Sequence, residues 1–254
     1  MSEHILVERR GAVLSLTLAR PERRNAITVA MYAALADAIE SAAGDSTVRL
    51  ITLKGQGEDF TAGNDLADFL SELPAPRSNA DVPVWRLLHA LANNEVPLIA
   101  AVHGNAVGIG TTLLFHCDFV LAEQGCRFIM PFVDLGLVPE AASSLIMPRL
   151  SGRRAAARHL LLGEPFGADQ ALAMGIASHV VEQGELAAAL KKLVAALLAK
   201  PAEAMRLTHS LLRGSDRAEV IERMELENGH FGERLTSVEV KQAIASFFAA
   251  RAKR

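Results

Sequence analysis

The run Pro97–His103, PLIAAVH, is almost unbroken in apolar residues, and it constrains the fold more than any other stretch. A strand with one wet face alternates polar and apolar side chains. A strand without that alternation is covered on both faces, as in a parallel sheet flanked by helices. The chain supplies the alternating elements such a sheet needs. Ile5–Arg9 and Ala12–Leu18 read as a hairpin around a glycine turn, Thr28–Ala43 as an amphipathic helix and Val48–Lys54 as a short strand. Asp81–Asn93 and Thr111–Phe115 read as helices, Phe119–Leu121 and Phe128–Met130 as strands. The expected class is α/β with a parallel core. From Glu185 onward the strand signal vanishes, and Leu186–Leu198, Ala202–Leu212 and Arg217–Arg251 read as Ala- and Leu-rich helices. The chain is thus divided into an α/β core over 1–184 and a helical region over 185–254. Ser71–Asp81, with two prolines, is the expected mobile surface loop.

Composition excludes several function classes. A net charge of −3 argues against a nucleic-acid binder. No stretch reaches the ~18 apolar residues of a membrane span. The opening MSEHILVERRG mixes acids into a segment with no signal-peptide apolar region. Two cysteines, Cys117 and Cys126, make no disulfide framework and suit a reducing compartment, so a cytoplasmic location is expected. No Cys/His spacing for a metal is present, and His116 beside Cys117 reads as core.

Three segments carry candidate chemistry. Phe132–Ser144, FVDLGLVPEAASS, places Glu140 after a proline at the end of an apolar stretch. Burial disfavours an anion there, so the carboxyl pKa is expected to rise toward the range of a proton shuttle. Phe60–Leu66, FTAGNDL, follows a strand, and Gly104–Thr112, GNAVGIGTT, follows PLIAAVH and opens a helix. Small residues let a ligand approach the backbone, and a helix start leaves unbonded N–H donors. Gly108-Ile109-Gly110 is half of a dinucleotide fingerprint, but Leu113 stands where the third glycine belongs, and no Gly-Lys-Ser/Thr phosphate loop occurs.

The order RPERRNAI, FTAGNDL, HGNAVGIGTTLLFHCD, PFVDLGLVPEAASS and GEPFGADQALAMGIASHVV resembles the enoyl-CoA hydratase/isomerase family, the crotonase superfamily, along essentially the whole chain. The resemblance implies a ClpP/crotonase-like spiral of β-β-α turns with a C-terminal helical trimerisation region. It also implies an acyl-CoA thioester substrate, coenzyme A being part of the substrate rather than a cofactor, and a homotrimer or a hexamer of paired trimers. By position, the backbone N–H groups of Asn64 and Ile109 form an oxyanion hole. Asn25, Ala26, Ala62, Gly63, Asp65, Leu66 and Gly108 border the CoA moiety, and Ile109 replaces the usual glycine.

Family hydratases hold water with two glutamates, and their places are taken here by Thr112 and Phe132, which instead line the acyl pocket. The PFxxLGxxPExxSS setting of Glu140 resembles the 3-enoyl-CoA to 2-enoyl-CoA isomerase branch, whose single catalytic glutamate has this place. A hydratase or another crotonase-type reaction with a non-standard site, or a non-catalytic acyl-CoA binder, are the alternatives. Asp134 reads as a surface residue and Asp65 as a turn-orienting one; His103 and His116 read as packed histidines. Arg153 and Arg154 read as solvated charge, and Phe247, Phe248 and Arg251 are candidates for reaching a neighbouring subunit's CoA. The loop Leu66–Asp81 is expected to shape the acyl pocket.

Overall fold

The computed structural model describes residues 2–66 and 82–252, with backbone alone for 247–252. β1 (Ile5–Arg10) and β2 (Val13–Leu18) pair antiparallel across a turn where Gly11 takes φ 59°. β3 (Leu50–Gly55), β4 (Leu98–Val102), β6 (Phe119–Glu123) and β9 (His179–Val181) then add in parallel, giving the order β1-β2-β3-β4-β6-β9. Every residue of β4 is buried, as its unbroken apolar pattern requires. A smaller sheet, β5 (Asn105–Val107), β7 (Arg127–Ile129) and β8 (Phe166–Gly167), lies beside it.

The two sheets are fed in turns. β4 runs into β5 and then into α3 (Ile109–Thr112); β6 runs into β7 and then into α4 (Ser143–Ser151). β3 reaches the small sheet through a parallel bridge of Thr61 to Ala106, before α2 (Pro83–Ala92). This is the expected spiral of β-β-α turns, and its apolar strands and helices form one continuous core. α1 (Val29–Ala43) is capped by Thr28, whose Oγ1 accepts from the Met31 N–H at 3.3 Å. It buries Met31, Tyr32, Leu35, Ile39 and Ala42 at helical spacing, each large side chain contributing roughly 1.5–3 kcal/mol.

α5 (Arg153–Leu161), α6 (Ala168–Ala173), α7 (Leu186–Leu198), α8 (Ala202–Gly214), α9 (Arg217–Leu235) and α10 (Val238–Ala252) follow. α9 packs on α2 and α4, and so joins the core rather than trailing from it. Among the described residues, no helix is long and apolar enough to cross a membrane.

Three expectations are corrected. Arg217–Arg251 is two helices, because Thr236 and Ser237 hydrogen-bond their own backbone: Thr236 Oγ1 donates to Glu233 O at 3.0 Å, and Ser237 Oγ takes the Val240 N–H at 3.2 Å. The helix read at Thr111–Phe115 begins at Ile109 and tightens to a 3-10 turn over Leu113–His116. β5, β8 and β9 were missed because two or three residues carry no period. Ser71–Asp81 and most of Leu66–Asp81 lie outside the described residues.

Candidate active site

The turn Arg20–Asn25 carries the first of the candidate residues. Asn25 is fully buried, with φ 54°, and its side chain is committed internally. Its Oδ1 accepts from the Arg20 N–H at 2.9 Å, while Nδ2 donates to the carbonyls of Gln56 and Asp59, each at 2.8 Å. Its backbone is committed too, the N–H donating to Arg20 O at 2.9 Å and the carbonyl accepting from Thr61 Oγ1 at 2.7 Å, so Asn25 holds the turn together. Ala62 donates to Arg24 O, the Arg20 guanidinium donates to Ala26 O, and the same group bonds the Asp65 carboxylate at 2.6 Å. Leu66 is half-buried.

The two glycine segments meet. A Cβ on Gly63 would lie 2.6 Å from Val107 O, so the backbone of the first segment rests directly on the end of β5. Ile27 donates to Gly63 O at 2.8 Å and accepts from the Asp65 N–H at 2.9 Å, which leaves the Asn64 N–H facing the other way. Gly108, at φ 55°, turns β5 into α3, and its N–H is held by Ile129 O at 2.8 Å. Ile109 is the first residue of α3, where an N–H has no partner within the helix. Neither the Asn64 nor the Ile109 amide donates to another described residue. Open space lies where a Gly108 side chain would be.

Glu140 is 2 % exposed, and its Oε1 has no hydrogen-bond partner. Burial, and then the neighbouring Glu227 carboxylate, push its pKa up from 4.5 to about 8. Thr112 is wholly buried, and its hydroxyl is likewise unpartnered. Phe132, 4 % exposed, belongs to the same buried core. Glu140 Oε1 and the Thr112 hydroxyl are both buried polar atoms that no other described residue satisfies.

Two residues of this constellation were missed. Tyr32, the one tyrosine of the chain, is buried on α1 and donates its hydroxyl to Asn64 Oδ1. Its phenol pKa is raised, first by burial and then by the Glu140 charge, so the two side chains are electrostatic neighbours. Glu227 is the other: Met224, Glu227, Asn228 and Phe231 form the buried stripe of α9. An acid on an apolar stripe was the available signal.

The remaining candidates stand apart. Asp134 is exposed. His103 is bonded to Gly57 O at 2.9 Å and His116 to Ala141 O at 2.9 Å. Arg153 and Arg154 are exposed. The side chains of Phe247, Phe248 and Arg251 lie outside the described residues. Cys117 and Cys126 are unpaired, burial raises both thiol pKa values, that of Cys126 to about 12, and no metal-holding cluster occurs among the described residues.

A family model described as Enoyl-CoA hydratase/isomerase matches residues 8–253. The chain is 32% identical to a 1,2-epoxyphenylacetyl-CoA isomerase of Escherichia coli K12, over 99% of this chain and 97% of that one. It is 31% identical to enoyl-CoA delta isomerase 2 of Rattus norvegicus, over 99% of this chain and 65% of that one. A crystal structure of an enoyl-CoA hydratase/isomerase from Pseudoalteromonas atlantica T6c superposes with a TM-score of 0.92 at 38% identity, covering 98% of each chain. The chain therefore belongs to the enoyl-CoA hydratase/isomerase family and has the crotonase fold. It is an acyl-CoA-processing enzyme of that family. The relatives' names span hydration and more than one isomerisation, so family membership alone does not select the reaction.

Proposed function

We propose that this enzyme shifts the double bond of a 3-enoyl-CoA into conjugation, giving the 2-enoyl-CoA. The observation that carries the reading is the buried carboxyl of Glu140, whose Oε1 has no hydrogen-bond partner among the described residues and whose charge reaches Tyr32, the residue bonded to the Asn64 side chain. Glu140 takes a C2 proton that the thioester acidifies. The dienolate oxygen is held by the Asn64 and Ile109 N–H groups. Glu140 then returns the proton at C4. One carboxyl suffices, because both transfers occur on one face. Hydration has less support: Thr112 cannot act as a base near neutral pH, and Phe132 makes the other water position apolar. On this reading CoA is part of the substrate and no separate cofactor is used. Asn25, Ala26, Ala62, Gly63, Asp65, Leu66 and Gly108 border it, and residues 185–254 build a trimer, or a hexamer, in the cytoplasm.

The test mixes the protein with 3-hexenoyl-CoA and, separately, with 2-hexenoyl-CoA, following the conjugated thioester by ultraviolet absorbance. A rise with the first and no hydrative loss with the second is expected. Loss with the second and silence with the first supports the hydratase instead, and silence with both favours another acyl group or a binding role.

The base must be ionised to act, so kcat/KM is expected to climb as pH rises through about 8. Stability runs the other way. The folded pKa lies above the unfolded 4.5, so the native state holds the extra proton, and stability falls as pH rises from 4.5 to about 8 and is flat beyond. Glu140→Gln removes that slope, and thermal melts are expected to show the variant gaining on the wild type across this window, by up to roughly 5 kcal/mol. Parallel melting curves would contradict the burial argument. Tyr32→Phe leaves Asn64 Oδ1 without its donor, and is expected to lower kcat about 5-fold, near 1 kcal/mol, in the same absorbance assay.

A further inference from the structure

We infer that Glu227 is a positioning residue for Glu140: together with His116 it clamps the turn Glu140-Ala141-Ala142, and so fixes where the Glu140 carboxyl points. The inference rests on the proposed role of Glu140 as the base. Ala141 and Ala142 have φ values of 61° and 56°, and neither is glycine. Two successive left-handed alanines cost roughly 1–2 kcal/mol each, and persist only where the surroundings hold them.

The holding groups come from distant elements. The Ala142 N–H donates to Glu227 Oε2 at 2.7 Å, and the Ser144 N–H donates to Glu227 Oε1 at 2.9 Å. Both carboxylate oxygens are engaged, one by each amide, across 85 and 83 residues of sequence. On the other side His116 Nε2 meets Ala141 O at 2.9 Å; a carbonyl only accepts, so that nitrogen carries the proton. Burial holds the His116 pKa down at about 4, which leaves the ring neutral at ordinary pH. Ser143 closes the turn, its Oγ and N–H donating to Glu140 O at 2.5 and 3.0 Å. The carbonyls of Glu140 and Ala141 and the N–H groups of Ala142, Ser143 and Ser144 thus all have partners.

Glu227 also acts through charge. The charged or titratable groups that bear on Glu140 are Glu227 from α9 and Tyr32 from α1, with His116 reaching only Ala141. Burial raises the Glu227 pKa, and the hydrogen bonds from Ser144 and Ala142, then the Arg223 charge, draw it back in part; Arg223, one turn before Glu227 on α9, also donates to Ser144 Oγ at 3.2 Å. The Glu227 carboxylate is therefore the group that holds the turn and raises the proton affinity of Glu140.

The test compares the wild type with Glu227→Gln, Glu227→Asp and Glu140→Gln, using 3-hexenoyl-CoA. Gln keeps the size but presents an amide NH2 to one of the two N–H donors and removes the charge. Its kcat is expected to fall ~10–100-fold with KM within about 3-fold, since misplacement by about 1 Å costs this much in rate. The pH midpoint is expected to move below about 8. Asp keeps the charge one methylene short, so kcat falls while the midpoint stays. Wild-type kcat in both Glu227 variants, with Glu140→Gln inactive, would overturn the clamp and leave the base in place. A second readout needs no turnover: a carbon NMR titration of glutamate-labelled protein, with the Glu140 signal identified by its loss in Glu140→Gln. A midpoint that does not fall in Glu227→Gln overturns the inference whatever the substrate proves to be. If all four proteins are silent with 3-hexenoyl-CoA, the base reading fails, and this titration still decides the link between the two carboxyls.

Discussion

Glu140→Gln is expected to lower kcat for 3-hexenoyl-CoA by ~10³-fold, which is roughly 4 kcal/mol of barrier. Gln is nearly isosteric, so the turn and its Glu227 contacts persist. What disappears is a carboxyl able to take a proton at C2 and give it back at C4. KM is expected to change little, because the thioester carbonyl is held by backbone amides that the substitution does not touch. The variant is also expected to be the more stable protein above pH 4.5, since it no longer buries a group that ionises. Lower activity joined to higher stability is the signature of a buried functional group. A variant that melts earlier and turns over slower in proportion would point to simple misfolding.

Gly63→Ala is the second large effect. Gly63 sits at φ 84°, and an added Cβ would come 2.6 Å from Val107 O and 3.3 Å from Val107 C. Both are backbone atoms of the small sheet and cannot swing aside. The Gly63 N–H is held by Thr61 Oγ1 at 3.0 Å and its carbonyl by Ile27, so the loop is tethered on its far side too. Left-handed strain and overpacking together are expected to remove about 2–4 kcal/mol of stability, read from denaturant melts. The displaced loop moves the Asn64 amide relative to Ile109, and kcat/KM is expected to drop about 100-fold even where the protein is fully folded. A melt within error of the wild type would show that the two segments are not in this contact.

Much of this was legible in the chain. PLIAAVH named a strand with two dry faces, and β4 is buried at every residue. The glycines of FTAGNDL and GNAVGIGTT marked close backbone approach, which the contact between Gly63 and Val107 realises. A proline-preceded acid in an apolar stretch marked Glu140, and burial accounts for its raised pKa. What stayed hidden depended on partners remote in sequence. Tyr32 looked like one more core residue of an amphipathic helix, because nothing local tells it that Asn64 will face it. Glu227 lay within a helix already rich in acids, where only its place on the stripe of Met224 and Phe231 set it apart. β8 and β9, at two and three residues, were too short to show a period. The left-handed alanines at 141 and 142 run against local preference, and tertiary contacts impose them.

The most direct test follows the proton itself. The enzyme is given 3-hexenoyl-CoA carrying deuterium at C2, in ordinary water, and the 2-hexenoyl-CoA formed is examined for deuterium at C4. A single Glu140 carboxyl shuttling within a dry pocket is expected to deliver part of the label to C4, with none delivered in Glu140→Gln. Product formed at the wild-type rate by the variant, or a wild-type product that has gained water across C2 and C3, would contradict the account.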